Sequence, residues 1–381
     1  MTIPARLAQV FEWLMKLLQA ALTLGGAMVT GIVSGIALDG GPIAAVALTL
    51  AHLALALCVH EGGHWLGARW DGLTVLLVRV LAVEIQPMRR GLRVRWSRQK
   101  RLRGLGGYVF CADAVPPRGP RARLRMIALG PGANLLLAAL AALVALLCID
   151  SPPAFGIALG MASSNLSMGL ANLVPTLRPM PSDGARLFMA WRGADESGPA
   201  FAYARLLALS VAGVPAEALP EADLASLEQQ PMPMPLVALS YRLDRAQAAG
   251  DWAAATAMQA QLEALLTAHP QARTECAAVV ALLRGELAFS QAMASGRADG
   301  LDAVLNNREV AWYSPTLPAR CRALQVLFSG DEAGAERELE AAVALGANAR
   351  VRSSHPLQLA LAGHVRALFK GRTAEGALHV P

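Results

Sequence analysis

The chain has 381 residues, 55% hydrophobic and only 16% charged, with a formal net charge of +6. That is too apolar for an ordinary soluble enzyme, and the length allows roughly two or three domains. Aromatic residues are only 5% of the chain, too few for base stacking, and with no nucleic-acid motif present nucleic acid is not expected as a partner.

Taken in order, residues 1–16 form a short amphipathic lead with Arg6, Glu12 and Lys16. From Leu17 to Leu38 no residue is charged, and a spanning helix needs about 20 such residues. A signal peptide's apolar core is shorter and ends at a small-x-small site, so this run is expected to be a retained first span. A tight turn at Asp39-Gly-Gly-Pro42 leads to a second span, about Ile43 to Leu66, whose last turns hold His60-Glu61-Gly62-Gly63-His64. On a helix, residues four apart share a face about 6 Å along the axis. His60 and His64 can therefore bind one zinc ion, with Glu61 turned to act on a water as general base. His52 lies two turns earlier, and a neutral histidine bonded to a neighbouring helix is the expected reading of it.

Residues 67–125 hold 14 Arg or Lys against three acids. Arg89, Arg90, Arg93, Arg95, Arg98, Lys100, Arg101 and Arg103 are the densest group. Val75–Ile85 and Leu92–Trp96 read as strands, and Gly106-Gly-Tyr-Val109 as another. Basic loops stay in the cytoplasm and attract anionic lipid. The third uncharged run, Met126 to Ile149, opens with Gly130-Pro-Gly-Ala-Asn134, and the fourth, Ala154 to about Pro175, contains Asn165 and Asn172. Four spans bring the ends of the second and fourth to the same side as the basic loop, near Arg178 and Arg186. Catalytic zinc usually takes three protein ligands and a water. The best candidate for the third ligand is Asp183, where Pro175, Pro179 and Pro181 break the helix as the fourth span ends. Beyond about Ala190 the chain reads as soluble, alanine-rich and helical. Leu236–Gly250 with Ala253–Leu266 has the length of a tetratricopeptide-like helix pair, and a second such pair ends in Ala333–Leu345. The five cysteines (Cys58, Cys111, Cys148, Cys276, Cys321) form no CxxC pair and read as reduced packing residues.

The set His60-Glu61-x-x-His64 in one span, Gly130-Pro-x-x-Asn134 at the head of a later one, and Asn172 followed by prolines and Asp183-Gly184 resembles the site-2 protease family. These are intramembrane zinc metallopeptidases, and the resemblance covers about residues 43–190. Gly106-Gly-Tyr-Val is similar to the strand region that family places near its active site. The resemblance implies zinc ligands His60, His64 and Asp183, a catalytic Glu61, and substrate-backbone contacts at Asn134 and Asn172. Two departures stand out. The family's compact Asn-x-x-Pro-x-Pro-x-x-Asp-Gly is stretched by extra residues, and Ser182 stands where leucine is common.

The expected fold is mainly α: a polytopic membrane helical core of about four spans, a small cytoplasmic β element between spans two and three, and a C-terminal soluble helical domain. The expected boundaries are 1–16 for the lead, 17–190 for the metallopeptidase core and 191–381 for the helical domain. The expected function is intramembrane zinc-dependent endoproteolysis of a membrane-anchored protein, at a bacterial inner membrane with both termini cytoplasmic. The alternative is an inactive family member acting as a membrane scaffold, its C-terminal domain binding a protein partner. A transporter is disfavoured because paired half-spans are not evident.

Overall fold

The computed structural model describes residues 5–37, 41–97, 106–113, 115, 120–177, 181–192 and 197–377. The turn residues Asp39 and Gly40, the basic residues Arg98, Lys100, Arg101, Arg103 and Arg178, and Pro179 lie outside the described residues. The chain divides into two compact units, Met1–Pro87 with Leu92–Asp195, and Met88–Gly91 with Glu196–Pro381.

In the first unit, α1 (Ala5–Ala37), α2 (Gly41–Trp70), α3 (Pro120–Leu147) and α4 (Pro152–Leu173) are long and apolar enough to cross a bilayer. Their exposed residues are large and apolar: Leu24, Met28 and Ile32 on α1, Ile43 and Leu50 on α2, Leu136, Leu143 and Leu147 on α3. Their buried residues include Thr30, Ser34, His52, Asn134, Ser164 and Asn165. Polar groups inside and bulky hydrocarbon outside is the arrangement lipid stabilises and water does not. The unit is an integral membrane core.

Two boundaries differ from expectation for local reasons. Residues 5–16 run into the first span as one 33-residue helix, about 50 Å long at the α-helical rise. The third helix starts at Pro120, ahead of the uncharged run, since proline's fixed φ suits a first helical position.

α2 packs along α3, α3 along α4, and α4 along α1. The α2–α3 contact is close because Gly63 has no side chain: a Cβ there would lie 2.2 Å from the Leu129 carbonyl oxygen. Gly62, its neighbour, has nothing within 4 Å of the corresponding position. The pair thus has two meanings, one glycine required by packing and one merely tolerated.

Four strands follow α2: β1 (Thr74–Val80), β2 (Val83–Pro87), β3 (Leu92–Trp96) and β4 (Gly107–Ala112). They form an antiparallel sheet in the order β3-β2-β1-β4. The run Val75–Ile85 is two strands rather than one. Leu81 turns the chain with φ 54, a left-handed conformation normally signalled by Gly, Asn or Asp. Cross-strand pairing puts Val94, Ile85, Val78 and Val109 in one row, and Trp96, Val83 and Val80 in the next. On this apolar face Val75 and Val78 pack with Ala68 of α2 and Met126 of α3. The opposite face carries Arg79, Glu84 and Arg95, where buried Glu84 takes Arg95 at 2.8 Å and Arg79 at 3.6 Å. After α4, a short helix α5 (Asp183–Trp191) ends the unit.

The second unit is helical: α6 (Ala202–Ala212), α7 (Glu221–Glu228), α8 (Met234–Ala248), α9 (Trp252–Ala268), α10 (Ala272–Glu275), α11 (Ala277–Ser295), α12 (Leu301–Leu305), α13 (Arg308–Tyr313), α14 (Thr316–Phe328), α15 (Glu332–Asn348) and α16 (Ser354–Ala377). The α8–α9 and α14–α15 pairs share one turn. Gly250 and Gly330 take φ 72 and 92, and Asp251 and Asp331 then cap the next helix by accepting from Ala254 N and Gly334 N. Helix α11 is also long and apolar enough to span. Its residues instead supply two buried clusters, Leu283 and Leu287 on one side and Phe289 and Met293 on the other. Its Glu286 meets Arg320 of α14 at 2.8 Å. A helix apolar on most faces can be a core helix as well as a span, and α11 is a core helix.

The packing separates the two glycines experimentally. Gly62→Ala should leave thermal stability in detergent unchanged or raise it by up to about 1 kcal/mol, the helix-propensity gain. Gly63→Ala should lower the melting temperature clearly, because its methyl meets a backbone carbonyl.

Candidate metal centre

Three side chains converge near the end of α2, past the end of α4 and at the start of α5. His60 and His64 project from one face of α2, with Nε2 atoms 3.2 Å apart. Asp183 Oδ2 lies 3.0 Å from His60 Nε2 and 3.2 Å from His64 Nε2. All three are buried, and among the described residues they form the one group of this kind able to hold a metal ion. The expected pairing of the second span's end with the segment near 175–185 is realised.

The surrounding hydrogen bonds fix which atoms carry protons. Asn165 donates through Nδ2 to Met161 O, so its Oδ1 is the atom that accepts from Asn134 Nδ2. Asn134 Nδ2 also donates to Ala56 O, which leaves Oδ1 facing His60 Nδ1 at 2.8 Å. His60 must then donate from Nδ1. His64 Nδ1 faces Met126 O at 2.9 Å and must donate as well. In the neutral imidazoles both Nε2 atoms are consequently bare lone pairs, and they point at each other and at a carboxylate.

Asp183 opens α5, and Arg186 lies 3.8 Å from its other oxygen. Helix start and cation both favour the ionised form. A buried acceptor left unpaired costs about 1–3 kcal/mol, so three of them facing one another describe a cation site. Size agrees as well. Ligand atoms about 2.0–2.1 Å from a tetrahedral ion lie about 3.3 Å apart, close to the 3.0–3.2 Å edges of this triangle. The thiol of Cys111 is pushed up to about 11 by burial and by nearby Asp113.

Each residue is held by a local device. Gly130 of α3 lies against the His64 ring, where a Cβ would come within 2.3 Å of Nε2 and Cε1. Pro131 beside it removes one rung of the helix ladder. Glu61 is buried between the helices and β4: a Cβ on Gly107 would lie 2.6 Å from its Cγ and Oε1. Its Oε2 is buried with no hydrogen-bond partner among the described residues.

Ser182, one of the two departures in the Asp183 motif, ties down the segment before the aspartate. Its Oγ donates to Val174 O at 2.6 Å, and accepts from Thr176 N at 3.0 Å and from Ala185 N at 3.3 Å. Ser182 N donates in turn to Thr176 O at 2.9 Å. Val174, Thr176 and Ser182 are thereby tied into a closed neck immediately before Asp183. Helix α1 braces this neck: Glu12 accepts from Leu177 N at 3.0 Å, and Gln19 donates to Ala171 O at 3.2 Å.

The asparagines part company. Asn134 is fully buried and holds His60, whereas Asn172 donates to Met168 O in its own helix. His52 is buried with its ring against Gly160 of α4, and its Nδ1 has no hydrogen-bond partner among the described residues. Asn165, Ser182, Glu12 and Gln19 were not assigned roles from the sequence. Asn165 and Gln19, uncharged polar residues within apolar runs, were the available signal.

Membrane helices that bring two histidines and an aspartate together beside a buried glutamate have the make-up of a membrane metallopeptidase. Residues 47–153, a little over a quarter of the chain, match the model of peptidase family M50, and the match supports the site-2 protease family assignment. The matched segment contains His60, Glu61, His64 and Asn134; Asn172 and Asp183 lie beyond it. No match is found among curated proteins or among solved structures.

The network yields a graded expectation for metal binding. His60→Ala or Asp183→Ala should abolish stoichiometric binding in a chelator competition titration. Asn134→Ala, which removes only the partner of His60, should keep a site weakened about 10- to 100-fold.

Proposed function

We propose that this protein is a zinc endopeptidase that cleaves membrane-anchored protein substrates, with His60, His64 and Asp183 as metal ligands and Glu61 as catalytic base. The observation that carries the reading is the convergence of two proton-free imidazole nitrogens and one carboxylate oxygen with a buried, unbonded glutamate oxygen beside them. Nitrogen and oxygen donors in that number suit zinc with one position open. A bound zinc ion polarises the scissile carbonyl and makes a water acidic near neutral pH.

The protein's own groups then have defined tasks. Glu61 takes the proton of the attacking water and passes it to the departing amine. Asn134, in place of the substrate contact implied by the resemblance, positions His60 and keeps its metal-facing nitrogen free of a proton. Asn172 remains the candidate for a substrate-backbone contact.

Strand β4 is an edge strand of the sheet, and Gly107 brings it against Glu61. An unpaired edge accepts an extended peptide. A substrate helix that unwinds onto β4 would present its carbonyls next to the base. The basic segment 89–103 supports placing this end on the cytoplasmic side of a bacterial inner membrane. The helix pairs of the second unit read as a surface for a protein partner.

Glu61→Gln discriminates the peptidase from a scaffold that retains the fold. The variant should hold metal as tightly as the parent, and cleavage of a reconstituted membrane-anchored substrate should fall at least about 10²-fold, the low end of a general base's contribution. Unchanged cleavage would remove Glu61 from the mechanism.

A further inference from the structure

One row of large apolar side chains in the first unit is exposed among the described residues. Leu92, Val94 and Trp96 alternate along β3 and are 62%, 60% and 71% exposed. Between them Arg93 bonds Gln86 and Arg95 bonds Glu84 on the opposite face. Alternation of this kind gives a strand one apolar face. The register shows where that face leads. Val94 pairs with Ile85, Ile85 with Val78, and Val78 with Val109. Val78 is buried in the cluster containing Ala68 of α2 and Met126 of α3. One apolar surface therefore crosses all four strands. Its inner half is covered by the ends of two spanning helices, and its outer half continues past them uncovered.

Those helix ends carry the residue types that favour the edge of a bilayer. Trp65 and Trp70 on the last turns of α2 are exposed, as are Phe188 and Trp191 on α5. The Arg69 guanidinium lies 6.0 Å from the centre of the Trp65 ring, and Arg192 lies 4.9 Å from that of Phe188. Exposed tryptophans with adjacent arginines mark the level of the lipid headgroups. Trp96 is an exposed residue of the same type, and the sequence around β3 is the most basic of the chain.

We propose that the β3 face of the sheet is a membrane-docking surface, on which Leu92, Val94 and Trp96 seat in the headgroup–acyl boundary of an anionic bilayer. The occupant is lipid because the uncovered surface continues an interface already formed with membrane-spanning helices, and because the nearby charge is positive. Seating this face would fix the sheet's tilt, and with it the distance of β4 from Glu61. The inference rests on the membrane-spanning fold and not on the peptidase reading, so it can fail while that reading stands.

The test uses the full-length protein in vesicles of phosphatidylcholine and phosphatidylglycerol. Trp96 emission is obtained as the difference between the parent and Trp96→Phe. The expected result is a blue-shifted contribution, most of which is lost when the phosphatidylcholine is brominated near the headgroup end of its chains, and which aqueous iodide leaves intact. Moving the probe along the same face, Val94→Trp in the Trp96→Phe background should restore that bromine-sensitive signal. Quenching by iodide but not by bromine would show the face to be in water and overturn the proposal. Protection from both quenchers would show it covered by protein, another copy or a partner, and would overturn it equally.

Discussion

Two lone pairs and a carboxylate aimed at one point are unstable company unless a cation joins them. That constraint organises the first unit. The bare nitrogens are set from behind: Met161 O orients Asn165, Asn165 orients Asn134, and Asn134 takes the proton of His60. The chain of bonds runs from α4 through α3 to α2. The proposed metal centre, with two local ligands and one distant one, thus draws on every helix of the core, including α1, which braces the neck before Asp183.

Close packing is the second requirement, and the bilayer makes it the only one available. Helices among lipid gain nothing from burying hydrocarbon against one another, so contact geometry and internal polar bonds must hold them. The chain meets this with small residues at the site. Gly63 lets α2 touch the α3 backbone, Gly130 makes room for an imidazole, and Gly107 lets a strand reach the base. Each of these glycines gives up a side chain so that a functional group can occupy its space.

Much of this was legible in the sequence where the cause is local. His60 and His64 are one helical turn apart, so their shared face follows from spacing alone, and four uncharged runs gave four helices. Asp183 was accessible because prolines and glycine announce a break at the end of a span. What could not be read depends on contacts across the fold. A serine before an aspartate gives no sign that it closes a loop neck. The turn at Leu81 hides because leucine is not a turn residue, and α11 imitates a span because a core helix and a membrane helix share composition. Asn134 stood out, but its task did not, since only the positions of Ala56, His60 and Asn165 show that its amide already has partners.

The most direct measurement of the central claim is X-ray absorption at the zinc edge of the purified, zinc-loaded full-length protein. The account predicts a shell of nitrogen and oxygen only, with two imidazole signatures at about 2.0–2.1 Å, and loss of one oxygen scatterer in any metal retained by Asp183→Ala. A sulfur scatterer, a third imidazole, or a shell unchanged by Asp183→Ala would contradict it.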